Sequence, residues 1–308
     1  MNDAQVAAAS RPRSALLIVL ATIGGLALLT MAAFFLAVFW MTKGGVSVPA
    51  VSRADKLGVV EVKGVIAEAE ETLKTLREFR DRPDVKGIVV RIDSPGGAVG
   101  ASQEIYEEIR RLDKEKPVVA SLATVAASGG YYVSIGARHI VADPGTVTGS
   151  IGVIMKIPNV GALLEKLGIK TTVVKSGALK DLGSITRDLT EEEKGILEGV
   201  LRDVHEQFIG AVAESRELSR EQVTGLADGR IMSGRQAFDA SLVDELGNFS
   251  VACDRAAALA GIEGTPELLY PRKDKLSLLR ELMEEEGAKS LLRILNQLLG
   301  ASAYGTVS

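Results

Sequence analysis

"VKGIVVRIDSPGGAVGASQEIYEEIRRLDKEKPVVASLATVAASGGYYV", residues 85–133, decides the fold. "VKGIVVRID" is a short β-branched run, mostly apolar on both faces, and Ser94-Pro95-Gly96-Gly97 turns the chain at its end. "ASQEIYEEIRRLDKE" has helical spacing, "KPVVASLAT" is a second apolar run, and "GGYYVSIGA" reads as another helix. Strands that are apolar on both faces and alternate with helices belong to a parallel sheet with crossover helices, an α/β fold.

The pattern continues in both directions. Upstream, "KLGVVEVKGVI" is a strand or hairpin-like pair, and "EAEETLKTLREFRDRP" is a helix through Leu73, Leu76 and Phe79 that Pro83 stops. Downstream, "HIVADP" reads as a strand, "NVGALLEKLGI" as a helix and "KTTVVKSG" as a further strand. "LTEEEKGILEGVLRDVHEQFIGAVAESR" is a long helix opened by a Thr190–Glu193 capping box. Its Ile196, Val200, Val204, Phe208 and Val212 form one stripe, a face for the core or for another subunit. Two shorter helical units and "FSVACDRAAALAGI" close a body that runs from 55 to 270.

Outside that body the composition changes. Residues 14–41 carry no charge, and roughly 20 apolar residues suffice to cross a bilayer, so the run reads as a transmembrane anchor. A cleaved signal peptide has a shorter apolar region and small residues at its end. This run ends in Phe39, Trp40 and Met41. Arg11 and Arg13 in the 1–13 tail favour a cytoplasmic N-terminus and a catalytic body on the extracytoplasmic side, although Lys43 weakens the contrast. Residues 42–54 read as a linker, and 271–308 as an amphipathic tail for the body, a neighbouring subunit or the membrane surface. The net charge of −4 gives no reason to expect nucleic acid. With one cysteine, Cys253, and two separated histidines, the chain forms no internal disulfide, and neither a four-cysteine zinc site nor a histidine-rich metal centre is expected.

Two turns carry the candidate chemistry. Gly96-Gly97 stand between a strand and a helix, where bare backbone N–H groups can face negative charge. Neither a Walker A spacing nor G-x-G-x-x-G is present, so phosphate binding is disfavoured. An oxyanion hole and a plain structural turn both stay open. Ser128-Gly129-Gly130 also lies at a strand-to-helix switch, where an open sheet presents functional groups, but Ala126 breaks the G-x-S-x-G pattern. If Ser128 is a nucleophile it needs a base. No convincing carboxylate accompanies His139 or His205 in the sequence. A buried lysine with a lowered pKa is the other choice, and "KSGALKDLGS" offers Lys175 and Lys180. The S-x-x-K spacing is absent, so serine and lysine must meet through the fold.

Taken together and in order, "DSPGG", "AASGGYY", "TGSIGVI", "KSGALKD" and "GRIMSGRQAFDASLVDELG" resemble the signal peptide peptidase A family, peptidase family S49, over roughly residues 57–265. The resemblance implies a ClpP/crotonase-like fold and a membrane-anchored serine endopeptidase with a Ser-Lys dyad and no cofactor. It maps the nucleophile to Ser128, the general base to Lys180, the group that orients the lysine to Ser150, and the oxyanion N–H donors to Gly97 and Gly129. It further implies peptide substrates, remnant signal peptides above all, and a homo-oligomeric ring, plausibly an octamer, at the membrane. A crotonase-like acyl-CoA enzyme and a non-enzymatic membrane scaffold are the competing readings, and neither requires a nucleophilic serine.

Overall fold

The computed structural model describes residues 25, 28–34, 36 and 55–271. The chain divides into two units, 1–53 and 54–308. In the first, the described residues are helical. Most of the expected anchor at 14–41 lies outside the described residues, as do the 1–13 tail, the 42–54 linker and all but the first residue of the 271–308 tail. Among the described residues, no helix is long and apolar enough to cross a membrane.

The second unit is an eight-stranded mixed sheet, parallel at every pairing except one. β1 (Lys56–Lys63), β2 (Val85–Ser94) and β3 (Val118–Ala127) form its centre, linked by α1 (Glu70–Asp81) and α2 (Val99–Asp113). α3 (Gly129–Ser134) leads to β4 (His139–Ala142), which pairs with β3, and β5 (Val147–Gly149) pairs with β3 farther along. α4 (Gly161–Lys166), α5 (Glu191–Arg216) and α6 (Arg220–Leu226) precede β6 (Ile231–Ser233), the antiparallel partner of β5. α7 (Gly234–Asp239), β7 (Glu245–Leu246), α8 (Phe249–Ala260) and β8 (Glu267–Leu269) complete the order. β7 extends β4, and β8 flanks β1.

The period of two along a strand divides the core. Ile88, Val90 and Ile92 of β2 join Leu76, Phe79, Ile105 and Ile109 in one apolar layer. Val89, with Leu57, Val119 and Val141, packs against Ala252 and Ala256 of α8 on the other. Burial on both faces is why Ile88, Val89 and Val90 at the middle of β2 run without a polar residue. The Thr190–Glu193 capping box is present at the start of α5. Phe208 and Val212 of its stripe are buried, whereas Ile196 and Val200 are exposed.

Two segments depart from the sequence reading. "KTTVVKSG" pairs with no strand, and Val174 is 94% exposed. Its β-branched residues suit a pleated surface, but a strand also needs a neighbour for its N–H and C=O groups, and none pairs with it among the described residues. The helix expected over 159–169 is confined to Gly161–Lys166 and buries no side chain.

Candidate active site at the strand ends

The site begins with a defect in the sheet. Between β2 and β3 the register steps from Ile92↔Leu122 to Ser94↔Ala126, so β3 contains two extra residues. Such bulges bend a strand and interrupt its ladder. Here side chains repair it. The Asp93 carboxylate accepts the Val125 N–H at 3.1 Å, and the Thr146 hydroxyl donates to the Ala123 carbonyl at 2.7 Å. The Thr148 hydroxyl, one strand over, donates to the Ala126 carbonyl at 2.6 Å. β3 changes neighbours across this bulge, from β4 to β5.

That switch aligns two serines. Ala127 pairs with Gly149 in the parallel β3–β5 ladder, so Ser128 and Ser150 each stand one residue beyond adjacent strand ends. The Ser128 N–H donates to the Gly149 carbonyl at 2.9 Å, and the Ser150 N–H donates to the Arg230 carbonyl at 2.8 Å. Both serines have positive φ, 53° and 52°. For a residue with a side chain this region costs about 1–3 kcal/mol, which the surrounding bonds must offset. Both are half-buried, and among the described residues neither hydroxyl has a hydrogen-bond partner.

The glycine turn lies alongside. Ile66 donates to the Gly96 carbonyl at 3.0 Å and accepts the Ala98 N–H at 2.7 Å, which forms a one-residue parallel bridge to Gly97. In that pattern the Gly97 N–H points away from Ile66. A Cβ on Gly97 would lie 2.1 Å from the Ile66 carbonyl oxygen, so only glycine permits this approach. Gly129 is the first residue of α3, and a first helical N–H has no acceptor within its helix. The two glycines are close neighbours: a Cβ on Gly129 would fall 3.2 Å from the Gly97 nitrogen. The start of α2 has no side-chain cap and no acidic residue in its first turn, which leaves the positive end of a 15-residue helix beside the pair.

Among the described residues, no hydrogen bond or ion pair joins Lys180 to Ser128 or Ser150. The lysine is exposed on a turn, its N–H donating to the Gly177 carbonyl at 3.1 Å, and among the described residues its amine makes no hydrogen bond or ion pair. Its neighbour Asp181 is fastened instead. Asp181 accepts from the Lys175 amine and from Arg187 at 3.1 Å, which hold its carboxyl below the usual range. Arg187 reaches Glu193 at 2.6 Å. Arg187 and the Thr190 N–H lower Glu193 to about 2. The Lys180 turn is thereby strapped to the first turn of α5 through Asp181 and Arg187, with Lys175 holding Asp181 as well.

The histidines stand elsewhere. His139 does have a carboxylate, Glu245, at 3.0 Å, contrary to the sequence reading. The pair sits at the far end of the sheet, because His139 is level with Val119, nine residues before Ser128 on β3. The ring nitrogen Nε2 of His205 on α5 is buried and unpaired among the described residues.

Two half-buried hydroxyls on neighbouring strand ends, with two free N–H groups beside them, suit acyl transfer, in which a hydroxyl attacks a carbonyl whose oxygen gains charge. Comparison with known proteins agrees with this class. The profile of Peptidase family S49 matches residues 110–263. A Synechocystis protein named as a candidate protease is 41% identical over 251 residues, 81% of this chain and 89% of the relative. An Enterococcus faecium protein named as a candidate signal peptide peptidase SppA is 37% identical over 213 residues, 65% of this chain and 62% of the relative. The chloroplastic serine protease SPPA of Arabidopsis thaliana is 35% identical over 204 residues, 66% of this chain and 30% of the relative. The match therefore spans less than two thirds of the second and third relatives. The chain belongs to peptidase family S49, as an SppA-like member.

Proposed function

We propose that the protein is a serine endopeptidase of ClpP/crotonase-like fold in which Ser128 is the nucleophile and Lys180 the general base. The observation that carries this reading is the register of β3 and β5, which sets Ser128 beside Ser150 and against the Gly97–Gly129 pair. The neutral Lys180 amine takes the Ser128 proton as Oγ attacks the peptide carbonyl. The carbonyl oxygen, now anionic, receives the Gly97 and Gly129 N–H groups. Collapse breaks the C–N bond, and protonated Lys180 gives its proton to the departing amine. Water, deprotonated by Lys180, then attacks the acyl carbon, and as the bond to Ser128 Oγ breaks the protonated lysine returns its proton to that oxygen. The Ser150 hydroxyl accepts a hydrogen bond from the lysine and holds it in line.

For this chemistry Lys180 must leave bulk water. The arm around it leaves Ile154 75% and Val174 94% exposed, with Leu163, Leu167 and Ile169 also uncovered. An apolar run of that kind is the surface expected of a contact with a second copy, and covering it desolvates the amine. The reading is of a homo-oligomeric ring, plausibly an octamer, as the family resemblance implies, in which the arm completes the site. Residues 14–41 anchor it as a single-pass protein, with the N-terminus cytoplasmic and the catalytic body outside. Remnant signal peptides, apolar and left in the bilayer, are the substrate class.

The test is cleavage of an apolar peptide by the detergent-solubilised full chain. Ser128→Ala and Lys180→Met are expected to stay folded and to lose at least about a thousandfold in kcat. Wild-type turnover in the lysine variant rules out the base, and in the serine variant it rules out the nucleophile.

A further inference from the structure

Ser102 occupies a position that its own helix does not explain. It lies in the second turn of α2 and is 1% exposed. Its hydroxyl donates to the Ala98 carbonyl at 3.0 Å, the same oxygen that already accepts the Ser102 backbone N–H at 3.1 Å. A serine bonded back to residue i−4 slightly weakens a helix, and alanine would serve the helix better. The other side of the hydroxyl faces the candidate site. A Cβ on Gly129 would meet Ser102 Oγ at only 2.4 Å, nearer than any other atom.

We propose that Ser102 is a positioning residue that sets the separation of the Gly97 and Gly129 N–H groups, an inference that rests on the peptidase reading of Ser128. On one side Oγ holds Ala98, the residue after Gly97, whose N–H is tied to Ile66. On the other it is the surface on which the first residue of α3 rests. The two turns come from different strands, and no hydrogen bond joins Gly97 to Gly129 among the described residues. An oxyanion hole works only if both donors point at one oxygen, so a strut between the turns affects the transition state more than substrate binding.

In the detergent-solubilised full chain, Ser102→Ala is expected to lower kcat about tenfold or more while KM changes by less than about twofold. It is also expected to weaken a peptide boronic acid, which forms a tetrahedral adduct on a serine, by a similar factor. A second variant reads the contact itself. Gly129→Ala is expected to reduce turnover about a hundredfold, because its methyl would lie 2.4 Å from Ser102 Oγ and 3.2 Å from the Gly97 nitrogen. Wild-type kcat and boronate affinity in Ser102→Ala, a change in KM alone, or wild-type turnover in Gly129→Ala overturns the strut. Wild-type turnover in Ser128→Ala overturns the site itself, and the strut with it, so the two failures are told apart.

Discussion

Gly97 shows how little room the candidate site leaves at the level of single residues. Its Cα lies against the Ile66 carbonyl so closely that a methyl would sit 2.1 Å from the oxygen. Gly97→Ala is expected to break the bridge to Ile66, at about 1–3 kcal/mol of stability, and to lower turnover about a hundredfold by turning one donor away. Urea unfolding and peptide cleavage on the same sample measure both. Turnover at the wild-type rate would remove Gly97 from the proposed oxyanion pair. The glycines and Ser128 stand out in the sequence because each interrupts an apolar run at a strand end. Ser102 does not stand out, since a serine in a polar-looking helix start carries no signal until Gly129 is seen resting on it.

At the scale of elements, the strap from Asp181 through Arg187 to Glu193 links the Lys180 turn to α5. Glu193 is 2% exposed, and its carboxyl falls from an ordinary 4.5 to about 2. A lowered carboxyl pKa adds stability that is complete above the unfolded value and disappears as pH falls through the folded one. The contribution of Glu193 is thus full above about pH 4.5 and lost towards pH 2. Melting temperatures of wild type and Glu193→Gln are expected to differ most near neutrality and to converge between those limits. A difference that stays constant across that window would mean the strap does not hold Glu193 ionised. The capping box itself was readable as Thr190 and Glu193, three residues apart ahead of an apolar run. The third member, Arg187, lies outside that motif, and its reach to two carboxylates depends on how the loop folds back.

For the whole molecule, the proposed assembly rests on the exposed arm between β5 and α5. Ile154 and Val174 are largely exposed within the chain, so Ile154→Asp and Val174→Asp are expected to change its unfolding free energy by no more than about 0.5 kcal/mol. Under the proposed assembly, a charge there dissociates the ring and abolishes cleavage, which light scattering in detergent and a turnover assay detect together. An unchanged particle size with either variant would show that the arm is not the contact. The exposed half of α5, with Ile196 and Val200, belongs to the same question, since its stripe continues past the residues that the core buries.

By itself, the sequence determined the elements whose bonds and periodicity are local: α1 and α2, the capped start of α5, the apolar central strands, and glycine turns at two strand ends. It also carried enough ordered motif to identify family S49. Only the tertiary structure decided the register that sets Ser128 beside Ser150, the bulge that moves β3 from β4 to β5, and the contact of Ser102 with Gly129. It also left "KTTVVKSG" without a strand partner among the described residues, although its composition reads as a strand. The division has one cause. A helix satisfies its backbone within a few residues, whereas a strand and a site built on strand ends depend on segments far away in the chain.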